Sequence, residues 1–210
     1  MCVLLSFIGG ITNCSIGLDV ARADTRQSVD PDANAAAVKQ AFARLAQEKN
    51  YQIESKGVSS GVKIDSHIQA QFPDHFHIVN RGANASELIL TPEGSFAKTD
   101  ADSPWRAVPM SYLSIAESMG PKANENLLKS MRQVIFIGTA RCPGEAAKIQ
   151  AKQYQFETDS IEAKAPMRTT ITISNDSGLP CLIRAQQAGA GTDTTTSYDY
   201  TGKFSIRVPK

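Results

Sequence analysis

Charge imbalance, long apolar runs beyond the first residues and the signatures of catalysis are all lacking in this sequence of 210 residues. Lysine and arginine number 22 against 21 aspartates and glutamates, a net charge of +1, and both signs are spread along the chain. No electrostatic field therefore draws the chain to nucleic acid or to an anionic membrane surface, and its partners must be chosen by apolar or specific contacts. No Gly-x-Ser-x-Gly elbow, phosphate-binding loop, dinucleotide fingerprint or His-Glu-x-x-His occurs. The familiar routes to nucleophilic, phosphoryl-transfer and zinc catalysis are thus missing, and the carboxylates are scattered. The reading is a non-enzyme without a cofactor.

Cysteine is scarce as well, at four residues, and two of them lie within the first fourteen positions. Met1 to Ile11 is almost wholly apolar, and Ala21-Arg22-Ala23 then sets small residues where signal peptidase reads, ahead of Asp24-Thr25-Arg26-Gln27. Asn13, Cys14 and Asp19 interrupt the run, which falls short of the roughly 20 apolar residues of a permanent span. Residues 1–23 are expected to be a cleaved signal peptide, although no Lys or Arg precedes the apolar run. Ile11-Thr12-Asn13-Cys14 also resembles a lipobox loosely, with Asn13 out of pattern. Acylation of Cys14 would make the chain an outer-membrane lipoprotein; otherwise a soluble periplasmic protein is expected. Residues 24–210 then form one domain and retain only Cys142 and Cys181. In an oxidising compartment these two are expected to pair, the alternative being two buried free thiols. Arg141-Cys142-Pro143-Gly144 reads as an exposed turn that an extended segment carrying Cys181 can reach.

Periodicity divides the chain into segments. Asp30-Pro31-Asp32 can start a helix, and residues 33–49 repeat apolar side chains at helical spacing: Ala37, Val38, Ala41, Phe42 and Leu45. From Tyr51 the period becomes two, through Ile53, Val62, Ile64, Ile68, Phe76 and Ile78, with turn residues Gly57, Gly61, Pro73 and Asp74 between. Residues 86–90 and 94–98 flank Thr91-Pro92-Glu93-Gly94, a tight-turn sequence. Residues 110–131 return to helical spacing, and Gly120-Pro121 splits them into two helices. Strands are expected again at 133–138, 147–157, 167–174, 179–186 and 194–200, with a hairpin at Asn175-Asp176-Ser177-Gly178 and an extended tail at 204–209. Connections this short exclude parallel crossovers, which need a dozen or more residues. The fold class is α+β: a strongly curved antiparallel sheet whose concave face is covered by helices.

These residues resemble a known family. Phe72-Pro73-Asp74-His75-Phe76-His77-Ile78 is similar to the strand that carries Phe-Pro-Asp in the lipoprotein carriers LolA and LolB and in the related lipoprotein glycolipid carriers. Glu93-Gly94-Ser95-Phe96 with Trp105, then Ile173-Ser174-Asn175-Asp176-Ser177-Gly178-Leu179-Pro180, and last Tyr198-Asp199-Tyr200 with Phe204 and Pro209, resemble further elements of these carriers in the same order. The resemblance implies a half-open β-barrel of about eleven strands with helices as a lid over an apolar cavity for acyl chains. None of Arg44, Arg81 and Arg106 matches the carriers' functional arginine.

Candidate cavity residues follow from apolar alternation within that frame. The first half of the chain offers Ile68, Phe76, Ile78, Leu88 and Trp105, and the helical segment offers Met110 and Leu113. From the second half come Phe136, Tyr154, Phe156, Ile171, Ile173 and Tyr198. Alternation alone does not separate a cavity wall from a filled core. Two rival functions therefore stand beside a monomeric carrier of lipid or acylated protein. One is an interaction module of the same fold that meets another envelope protein. The other is a metal binder using His75 and His77, which share a strand face, with Asp65 and His67 on a neighbouring strand.

Overall fold

The computed structural model describes residues 30–82, 85–100, 102–119, 121–143, 148–159, 166–187, 189 and 191–209. Residues 1–23, expected to be a signal peptide, and Cys14 among them, lie outside these residues. Helix α1 (Pro31–Leu45) begins where the Asp30 carboxylate accepts from the backbone N–H groups of Asp32 and Ala33, at 3.0 and 3.3 Å. Pro31 adds a preset φ at a position whose N–H would have no helical partner. Its apolar stripe, Val38, Ala41, Phe42 and Leu45, is buried. The expected continuation to residue 49 does not form. The Lys49 carbonyl accepts from the Phe72 N–H at 2.7 Å, which commits that segment to a sheet pairing instead of a further helical turn.

The first meander contains β1 (Asn50–Ser59), β2 (Val62–Gln71), β3 (His75–Asn80), β4 (Ser86–Thr91), β5 (Gly94–Lys98) and the short β6 (Arg106–Ala107). Helices α2 (Tyr112–Met119) and α3 (Pro121–Ser130) follow. The second meander is β7 (Arg132–Arg141), β8 (Gln150–Thr158), β9 (Met167–Ser174), β10 (Pro180–Gln187) and β11 (Thr192–Asp199). All pairings are antiparallel, and the eleven strands form one curved, open sheet in the order β6-β5-β4-β3-β2-β1-β11-β10-β9-β8-β7. Its edges, β6 and β7, are adjacent in sequence order. The two helices between them must therefore carry the chain from one edge to the other, which sets them across the open side of the half-barrel. None of the helices among the described residues is long and apolar enough to cross a membrane.

The 204–209 tail is not a strand, because β11 is already paired on both sides, by β1 and β10, and has no free edge. Cys142 and Cys181 are bridged, 39 positions apart in sequence, with Cα atoms 5.6 Å apart. Cys142 is 2% exposed, so its surroundings are not the expected exposed turn; it packs with Cys181, Ala151 and Ile149 in a small apolar cluster apart from the main core. The hairpin turn after β9 forms as expected, with Gly178 at φ +69°, a conformation glycine adopts without strain.

Candidate apolar cavity

Strand register decides which side chains share the concave face. Tyr51 pairs with Ala70, Ala70 with Phe76 and Phe76 with Leu90, which makes one inner row across β1 to β4. One step along, Ile53 lies opposite both Ile68 and Tyr198, and Ile78 lies between Ile68 and Leu88. On the other half Tyr154 pairs with Phe136 and Ile171, and Ile171 with Ile183. Helix α1 lays Val38, Phe42 and Leu45 into this surface to form one core. Ala70, Phe76 and Leu90 are completely buried.

Past the Tyr51 row the helices and the sheet part, and a cavity of about 470 Å³ remains. Its apolar wall is Leu45, Tyr51, Phe72, Pro73 and Met119, and Gln47, Glu48, Lys49 and Asn124 make its polar rim. Local sequence accounts for the opening. Helix α1 ends at Leu45, and the Phe72-Pro73-Asp74 turn between β2 and β3 closes the opposite side. Phe72 stacks on Tyr51, with ring centroids 5.5 Å apart, and meets Phe76 edge to face at 5.3 Å. Behind them Tyr200 lies 5.9 Å from Tyr51 and donates its hydroxyl to the Pro180 carbonyl at 2.6 Å. Burial pushes all three phenols of this cluster up, Tyr198 to about 12, and each of Tyr51 and Tyr200 further, because the tyrosines also oppose one another's ionisation. The wall is uncharged and chemically inert at neutral pH, suited to excluding water from an apolar group.

The residues named from the sequence spread over several surroundings. Phe76, Ile78, Tyr154, Phe156, Ile171 and Ile173 are buried in the core, and Ile68, Leu88, Phe136 and Tyr198 pack against it. Trp105 stands apart, its ring carrying the Lys98 Nζ at 4.9 Å from the centroid. Lys98 pairs in register with Glu87, on the face opposite to Leu88 and Leu90. Met110 and Leu113 are 43% and 55% exposed at the start of the lid. None of these residues borders the 470 Å³ cavity, which is walled by positions the periodicity assigned to element ends. Leu45 closes the α1 stripe, Tyr51 opens β1, and Phe72-Pro73 is the turn of the carrier-like motif. Proximity of element ends in space is the signal that was needed, and alternation within elements does not contain it.

The three histidines lie on the convex face and hold separate partners. His75 Nδ1 and the Asp74 carboxylate are 2.6 Å apart, while His77 bonds Gln69 at 3.1 Å and Glu87 at 2.7 Å. Burial raises Glu87, but hydrogen bonds from Lys98 and His77 outweigh it and hold the carboxyl below its usual range. Burial pushes His67 down, and the distance to Glu54 is 4.0 Å. Among the described residues no three His, Cys, Asp or Glu side chains converge on a point where a metal would sit.

No family model and no curated protein sequence matches the chain. Solved structures do. The crystal structure of Mycobacterium tuberculosis lipoprotein LppX superposes with a TM-score of 0.63 at 13% identity, over 85% of this chain and 100% of LppX. LprF from Mycobacterium bovis gives 0.62 at 8% identity, over 85% of this chain and 97% of LprF. MucB gives 0.53 at 10% identity, over 84% of this chain and 63% of MucB. At such identities the likeness is one of fold alone: this chain shares with these structures a curved antiparallel half-barrel accompanied by helices.

Proposed function

We propose that the chain is an exported cell-envelope carrier that holds an acyl chain of a lipid or acylated protein in the cavity between the end of α1, the β2–β3 turn and α2. The observation that carries this reading is the cavity itself: about 470 Å³, walled by Leu45, Tyr51, Phe72, Pro73 and Met119, at the open side of a LolA/LolB-like half-barrel. The volume falls within the roughly 300–1,000 Å³ of small-molecule sites. Each methylene moved from water into it contributes about 0.8 kcal/mol, so a chain of ordinary length binds firmly without any covalent step. The protein works by sequestration. Residues 1–23 direct export, and the periplasm is its compartment; if Cys14 were acylated, the same domain would be tethered to the outer membrane.

A second reading draws on the complete burial of Ala70, Phe76 and Leu90 within the core. A core filled to that degree suits an interaction module that meets another envelope protein. Displacement of a fluorescent fatty acid by saturated acids of increasing length separates the two. A carrier shows affinity rising about fourfold per methylene until the cavity is full and level beyond. An interaction module shows no saturable binding at any length.

A further inference from the structure

A second cavity, about 220 Å³, lies on the other flank of α1, against β8, β9 and the turn after β9. Its lining is mixed: two cations, Arg44 and Lys152, stand with Gln40, Ser174 and Asn175 among small and apolar side chains, and no carboxylate lines it. Both cations are exposed, so water and solutes reach them. Register places Lys152 on the concave face: it pairs with Ile173, beside the Tyr154–Ile171 pair. Arg44 comes from the last turn of α1, and its guanidinium is held in place. Nη1 donates to the Ser177 carbonyl at 2.6 Å, and the group lies directly over Gly178. A Cβ at Gly178 would stand 2.2 Å from Nη1, so this placement requires glycine there for space as well as for its φ of +69°.

We infer that this cavity binds an oxyanion of the phosphate class through Arg44 and Lys152. The guanidinium keeps N–H donors beyond the one given to Ser177, and that hydrogen bond anchors it at the turn. Such preorganisation suits a tetrahedral anion with several acceptor oxygens. Lys152 supplies a second point charge on a flexible stem from the facing strand, while Gln40 and Asn175 offer amide donors. The acyl cavity is lined by other residues, so this site stands whether or not that cavity holds lipid. A free phosphate compound and the head group of an anionic lipid present the same chemistry, and the test distinguishes them.

Inorganic phosphate is titrated into the protein by calorimetry at low ionic strength, where the screening length is about 30 Å at 0.01 M. Sedimentation with vesicles of phosphatidylcholine, with and without phosphatidic acid, is measured in parallel. Arg44→Gln and Lys152→Gln each weaken binding by about tenfold, the loss of one charge-assisted contact. Gly178→Ala keeps both charges but displaces the guanidinium, and it weakens binding to a similar degree while circular dichroism remains native. Variant-sensitive phosphate binding identifies a soluble oxyanion. Variant-sensitive vesicle binding without it identifies a head group. Binding of both probes unchanged in the two glutamine variants, or unchanged in folded Gly178→Ala, overturns the site.

Discussion

Tyr51 and Phe72 stack with ring centroids 5.5 Å apart and planes 24° from parallel, and both rings wall the same cavity. One lies at the start of β1 and the other in the turn after β2, so a contact between two element ends shapes the wall of the proposed site. An arginine placed in that wall brings a charge and its bound water into the space an acyl chain would fill, with Glu48 on the rim as its one nearby acid. Phe72→Arg and Met119→Arg are expected to lower fatty-acid affinity by more than tenfold, while Ile137→Arg, at a 45% exposed position on β7, leaves it unchanged. Equilibrium displacement assays on folded variants check this, and equal loss at all three positions would speak against the cavity.

Tyr200 donates to the Pro180 carbonyl at 2.6 Å, and Pro180 is among the most completely buried residues. Removing the hydroxyl leaves a buried acceptor without its donor. Tyr200→Phe is expected to cost about 1–3 kcal/mol, seen as a lower urea midpoint with an unchanged slope.

The tyrosine cluster gives stability a defined dependence on alkaline pH. Burial holds Tyr198 at about 12, whereas in the unfolded chain a tyrosine titrates near about 10. Below pH about 10 both states are protonated and the contribution is complete; above it the unfolded chain loses its proton first, so stability falls as pH rises toward about 12. Tyr51 and Tyr200 are pushed up in the same direction by burial and add to the decline. Urea unfolding at stepped pH should show the fall, and Tyr198→Phe should make it shallower.

The bridge between Cys142 and Cys181 closes a loop of 39 positions. In the chain-entropy account it contributes roughly 3–4 kcal/mol. Cys142→Ser with Cys181→Ser is expected to lose that amount in urea unfolding, matching the reduced wild type. A double variant as stable as the oxidised protein would show that the bridge constrains nothing in the unfolded chain.

Much of this fold can be read from local pattern. The β9 boundaries, the turn at Asn175 to Gly178 and the break between α2 and α3 follow from alternation and from glycine and proline chemistry, which act over a few residues. The curved antiparallel sheet follows from the order of elements and their short connections, whereas its half-open form and its eleven strands are what the resemblance implies, because closure of a sheet depends on how far each strand is rotated on the next. Two-residue β6 has no period to detect. The end of α1 was placed too late, since Lys49 is drawn into a pairing with Phe72, more than twenty positions away. The cavity wall was missed for the same reason. Alternation identifies which side of a strand is apolar, and it found Phe76, Ile78 and Ile171; only the meeting of Leu45, Tyr51, Phe72 and Met119 in space shows where the packing stops short.

The most direct test of the proposed carrier is native mass spectrometry, with lipid extraction, of protein produced in a bacterial host with residues 1–23 in place. The account predicts a mass increment from bound lipid or acylated peptide that disappears in Phe72→Arg while the disulfide remains intact. A clean ligand-free mass in wild type, with native circular dichroism and no fatty-acid uptake on reconstitution, would contradict the carrier and leave the filled-core interaction module in its place.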